Sequence, residues 1–145
     1  MHKFSSNKIT PYPVDLIKSI ILDIESYPIF LPWCKSATIL SRDKELITAS
    51  LGVSFKSFSE SYVSQVTTIE KEGTTIIQSK AISGPFKHLN SIWRIESHNN
   101  LTKVNFSIDF QLKSKILDIV IGMVLYKSAE EMMVAFELRA KELSK

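Results

Sequence analysis

Three histidines, one cysteine and two strand carboxylates are the first places to look for chemistry, and their spacing limits what they can do. A catalytic site needs a nucleophile beside a base, a pair of carboxylates, or convergent metal ligands. His2, His88 and His98 are scattered over a terminus and loop regions, at no spacing that converges on a metal. Cys34 has Lys35 as its sequence neighbour, but adjacent strand residues point to opposite faces, so the thiol reads as structural. Glu60 and Asp109 fall in strand-like runs, and the polar alternation around Asp109 turns it to water. Gly52, Gly73, Gly84 and Gly122 are too far apart to build a phosphate-cradling loop. The chain therefore reads as a non-enzyme, with no metal site and no required cofactor.

What remains is apolar and aromatic surface, and the elements that position it. The 145 residues suit one domain, with 44% hydrophobic and 23% charged residues. The formal charge of +3 and pI near 8.9 permit contact with RNA or anionic lipid without requiring it. A lone cysteine allows no internal disulfide, which fits a reducing compartment. Residues Met1–Lys8 lack the apolar stretch of a secretory leader, and the run Ile116–Tyr126 is too short to span a bilayer. A cytoplasmic protein that visits the inner membrane peripherally is expected.

Lys3–Thr10 reads as a first strand, broken by Pro11 and Pro13. Leu16, Ile17, Ile20, Ile21 and Ile24 then recur at helical spacing. Pro28 and Pro32 limit the next segment to a short helical turn. Strict alternation marks strands at Ile47–Phe55 and Val104–Leu112. Weaker strands cover Ser36–Leu40, Phe58–Ile69, Thr74–Ile82 and Leu89–Ser97, with short turns between them. From Lys115 to Leu143 the pattern is helical. Its second half has one apolar stripe, whereas Ile116–Tyr126 leaves almost no polar face. A helix apolar all round must be covered, by a ligand, a second subunit or a membrane. The fold class is α+β: a twisted antiparallel sheet around a long C-terminal helix, closed by short N-terminal helices, in a single domain over residues 1–145.

Three segments resemble the helix-grip, START-like proteins of the coenzyme Q-binding type, within the polyketide cyclase-like superfamily. Asp23-Ile24-Glu25-Ser26-Tyr27-Pro28-Ile29-Phe30-Leu31-Pro32-Trp33-Cys34 is similar to that family's D-x-x-x-Y-P-x-F-L-P-W-C signature. Gly84-Pro85-Phe86-Lys87-His88-Leu89 with Trp93-Arg94 resembles a second stretch, although Ile95 stands where an aromatic is usual. Val104–Lys115 resembles the last strand leading into the helix. The resemblance runs from about Pro11 to the end of the chain. It implies a cavity between sheet and helix for a polyprenyl quinone such as ubiquinone, or a similar lipid. Members of the family are described both as quinone-binding respiration factors and as toxins that bind the large ribosomal subunit and block subunit association, so both partners stand as expectations. Oligomeric state is not legible.

On that basis Phe55, Phe58, Tyr62, Trp93, Phe106, Phe110, Val120 and Val124 are expected to line the cavity. Tyr27, Pro28, Phe30, Pro32 and Trp33 form a rigid aromatic segment, read as a plug or as a mouth touching membrane, and Phe86 as an exposed apolar tip. Gly122 reads either as a hinge or as a site of close packing. Lys80, Lys87 and Arg94, with His88, are candidates for contact with a lipid headgroup or RNA phosphate. A ligand pocket of at least ~300 Å³ is usual, and leaving one dry would cost roughly 7 kcal/mol by the core-truncation slope. That is enough to favour ligand uptake or partial collapse of the helix.

Overall fold

A computed structural model describes residues 1–55 and 58–144. Strand β1 (His2–Thr10) leads into α1 (Val14–Leu22), a 3-10 turn at Ile24–Ser26 and the short α2 (Tyr27–Phe30). Six strands follow: β2 (Cys34–Asp43), β3 (Leu46–Phe55), β4 (Phe58–Lys71), β5 (Thr74–Ser83), β6 (Phe86–His98) and β7 (Leu101–Leu112). Helix α3 (Lys115–Leu143) closes the chain.

The sheet order is β1-β7-β6-β5-β4-β3-β2, and every described pairing is antiparallel. β2 to β7 form the expected meander, while β1 returns to pair with β7. Positive φ at Lys44, Glu72, Gly73, Asn99 and Asn100 makes the hairpin turns tight. Register shifts in β2, at Val63/Ser64 and at Phe86/His88 are irregularities of the kind that bend a sheet, so the sheet can curl round α3.

Sequence periodicity accounts for the burial. Ile17, Ile20 and Ile21 of α1 are buried, as are Ile47, Ala49, Leu51, Val53 and Phe55 of β3. On β7, Val104, Phe106, Phe110 and Leu112 are buried, with Asp109 on the opposite, wetter face. The core has a large cluster reaching from α1 to Phe136 and Ala140 on α3. A smaller one joins Val53, Phe55, Phe58, Phe86, Phe110, Leu112 and Ile121. Phe86 is thus a core residue, not the exposed tip expected from its Gly-Pro neighbourhood. It pairs across to Leu112 and packs into the smaller cluster with Phe58 and Ile121. Gly84, at φ +110°, makes this possible: a Cβ there would sit 2.6 Å from the Cβ of Tyr62.

Helix α3 is fastened at its start. Ser114 caps it by accepting from the Leu117 N–H at 3.2 Å, and the Leu112 N–H donates to Asp118 Oδ1 at 2.9 Å. Only Ile121 and Gly122 of the first two and a half turns are buried; Ile116, Ile119, Val120 and Met123 are exposed.

Candidate functional site

A cavity lies between the concave face of the sheet and the second half of α3, with the 3-10 turn and α2 closing it; its volume is about 140 Å³. It exists because several inward positions carry small side chains. Ser64 on β4, Ser79 and Ala81 on β5, Ser91 on β6, and Ser128 and Ala129 on α3 all face it. Bulkier residues at those positions would have filled the space. Ser79 and Ser91 are cross-strand partners, so two hydroxyls meet on one wall. The Ser128 hydroxyl is already committed to the Val124 carbonyl at 2.9 Å.

Five of the eight expected lining residues are in the wall: Phe55, Tyr62, Trp93, Phe106 and Phe110. Phe58 is buried in the smaller cluster beside them, outside the wall, and Val124 packs against that same cluster. Val120 is a correction. It is 61% exposed, because the buried turn of α3 is set by Ile121 and Gly122 and the position before them points out to solvent. The helix contributes Leu125, Ser128, Ala129, Met132 and Phe136 to the wall instead. Of the aromatic N-terminal segment, Tyr27 and Trp33 reach the cavity and Pro28 and Pro32 are exposed. Phe30 packs edge-on to Tyr27 and Phe136 at 6.0 and 5.2 Å. The serines were missed by a reading that counted apolar residues. Their place in the alternation, two residues from Tyr62, Ile77 and Trp93, was the available signal.

Electrostatically the wall is quiet. Among the described residues it holds no histidine, cysteine, acid, lysine or arginine. The Tyr27 hydroxyl donates to the Ile21 carbonyl. Burial pushes the phenols of Tyr27 and Tyr62 well above their ordinary range, so both stay neutral donors. Cys34 is buried, and burial pushes its thiol up to about 11, which leaves little thiolate at neutral pH. Among the described residues no group of three or more His, Cys, Asp or Glu could hold a metal.

The basic candidates do not gather. Lys80, Lys87 and Arg94 are all exposed, but Arg94 stands seven residues along β6 from Lys87, roughly 20 Å away at strand rise. His88 pairs with Asp109 on the outer face.

Gly122 has a packing role. The His2 ring lies against it, where a Cβ would overlap the imidazole. That ring stacks on Phe110 at 4.9 Å. Its Nε2 is 3.1 Å from the Asp118 carbonyl and 3.2 Å from Asp118 Oδ1; both are acceptors, which assigns the proton to Nε2. Gly122→Ala is expected to destabilise the fold by about 1–2 kcal/mol by displacing this ring. In a His2→Ala background the same change should instead stabilise by up to about 1 kcal/mol, as helix propensity takes over. Denaturant midpoints of the four proteins check this; stabilisation in both backgrounds would remove the packing role.

Residues 10–137 match the family described as polyketide cyclase / dehydrase and lipid transport, and the chain belongs to that family. It is 41% identical to the ribosome association toxin RatA of Rickettsia prowazekii over all of both chains. It is 26% identical to the mitochondrial coenzyme Q-binding protein COQ10 homolog B of Xenopus laevis, over 95% of this chain and 57% of that one. A START superfamily protein from Mycobacterium smegmatis superposes with a TM-score of 0.82 at 20% identity, covering 99% of each chain; that likeness establishes the helix-grip fold. The family's description spans both cyclases and lipid transport proteins, so membership alone does not decide between catalysis and binding. Among the described residues no helix is long and apolar enough to cross a membrane.

Proposed function

We propose that this protein is a non-catalytic binder that takes the ring of a polyprenyl quinone, or of a similar lipid, into the cavity under α3 and so serves respiratory electron transfer as a carrier or chaperone. The observation that carries this reading is an aromatic-walled space with a few neutral hydroxyls and, among the described residues, no ionised group. Quinone oxygens accept hydrogen bonds, and Tyr62, Ser79 and Ser91 supply donors. Redox chemistry would belong to the quinone. At about 140 Å³ the cavity is half the size expected from a typical pocket. It is close to the ~150 Å³ apolar cavity that accepts benzene, so it has room for one ring and not for an isoprenoid tail. A tail requires α3 to shift outward, and Gly122 is the place on this reading where it would bend.

The test is organic extraction of protein purified from a quinone-producing host, followed by mass spectrometry. A polyprenyl quinone near one per chain is expected; no lipid above background overturns the reading. A second reading, binding to the large ribosomal subunit to block subunit joining, is supported by the full-length 41% identity to a protein named for ribosome association. It predicts that the purified chain shifts ribosomes toward free subunits on sucrose gradients, in a salt-sensitive way.

A further inference from the structure

The outward face of α3 changes character along its length. Ile116, Ile119, Val120 and Met123 stand at 75, 77, 61 and 71% exposure, spaced as one stripe over the first turns. No described part of the chain covers them. From Lys127 onward the same side of the helix is mixed, with the charged Glu130, Glu137 and Lys141 interrupting the exposed Val134 and Leu138.

The charges around the stripe are of one sign. Lys115 precedes it and Lys127 follows it, one helical turn beyond Met123. Lys113 is adjacent, its N–H bonded to the Pro85 carbonyl at 2.9 Å, and Lys87 follows Phe86, the cross-strand partner of Leu112. All four are exposed, and among the described residues none is in an ion pair. The one acid of this segment, Asp118, turns inward to the Leu112 N–H and His2.

We propose that this end of the molecule docks on the surface of an anionic phospholipid bilayer, with the stripe in the headgroup–acyl boundary and the four lysines at the phosphates. The complementarity decides the occupant. A symmetric dimer through the stripe would face it with its own copy, and lysines flank the stripe at both ends, so either alignment of the two helices sets lysine against lysine. The uninterrupted apolar stripe ends at Lys127, and Glu130 and Glu131 follow it, so the first turns of α3 are the docked part of the helix. The docked end adjoins the cavity: Phe86 and Phe110 of its wall share a cluster with Ile121, in the helix segment that bears the stripe.

Flotation with vesicles of phosphatidylcholine, alone or mixed with phosphatidylglycerol, tests this on the intact chain. The protein should float with the mixed vesicles and not with phosphatidylcholine alone, and be released by salt. Ile119→Glu with Val120→Glu should abolish flotation with the circular dichroism spectrum unchanged, since both side chains are exposed. Lys113→Gln with Lys115→Gln should weaken partitioning about fivefold per lysine. Flotation that survives the glutamate pair overturns the proposal. So does a wild-type dimer in sedimentation that the glutamate pair dissolves, which would give the face to a second copy. Vesicle binding reads this surface and lipid extraction reads the cavity, so either result stands without the other.

Discussion

Ala129→Phe is expected to yield a protein that carries no extractable ligand and yet unfolds at a higher temperature than the ligand-free parent. Ala129 is buried on α3 and faces the cavity. A dry void of about 140 Å³ costs the apo fold about 3 kcal/mol at the slope found for core truncations. A phenyl ring placed there recovers part of that, less about 1–3 kcal/mol if it is slightly too large. The net expectation for apo protein is a gain of up to about 2 kcal/mol, some 4–8 °C in Tm for a domain of this size. The ligand-bound parent should gain stability from added ligand while the variant does not. A variant that keeps stoichiometric lipid would move the binding site out of this cavity. One that loses both lipid and stability leaves the site untested by Ala129, and Ser91→Phe, which fills the space from the sheet side, then decides.

The cavity was only partly legible in the sequence, for a physical reason. Alternation reports which face a strand residue takes, and it placed Phe55, Tyr62, Trp93, Phe106 and Phe110 correctly on the concave side. It also held the positions of Ser64, Ser79 and Ser91, but a small hydroxyl carries no hydrophobic signal, so the residues that create space went unread. The bounds of α3 were plain, because Lys115–Leu143 has no proline and follows directly on the strand alternation of Val104–Leu112. The orientation of its first half was not. Ile116–Tyr126 is apolar in nearly every direction, and periodicity cannot choose an inward face where all faces score alike. The choice is made by tertiary partners: the Asp118 carboxylate that fastens Leu112 and His2, and the His2 ring seated on Gly122. Val120 was misplaced for that reason. The surplus of apolar surface over what one sheet can cover was nevertheless correctly sensed, and the structure turns it into an exposed stripe rather than a second wall of the cavity.

The steepest loss of stability is expected at Phe136. This ring joins the three layers of the molecule at one point. It meets Trp93 of β6 at 5.1 Å, Tyr27 at 5.7 Å and Phe30 at 5.2 Å, the last two edge-on. Trp93 in turn lies 4.4 Å from Phe106 of β7, and the Arg139 guanidinium sits 5.4 Å from the Phe30 ring centre. Few described contacts other than this cluster join α2 to α3, because a four-residue helix containing Pro28 has little else to bury. Phe136→Ala should cost about 3–5 kcal/mol, a large share of the 5–15 kcal/mol that holds a domain together. Phe136→Leu, which keeps most of the volume and loses only the edge-to-face contacts at about 0.5–1.5 kcal/mol each, should cost clearly less. Urea midpoints at constant slope measure both. Equal losses would mean that the aromatic contacts, which both variants lose, and not the volume carry the effect; a loss under about 1 kcal/mol for Phe136→Ala would mean that α2 is held by something other than this ring. Because Phe136 walls both this cavity and a smaller one beside α1, lined by Ile17, Ile20, Ile21 and Met133, its truncation enlarges the space by joining the two. The same variant, if it folds, should therefore accept a bulkier ring than the parent does.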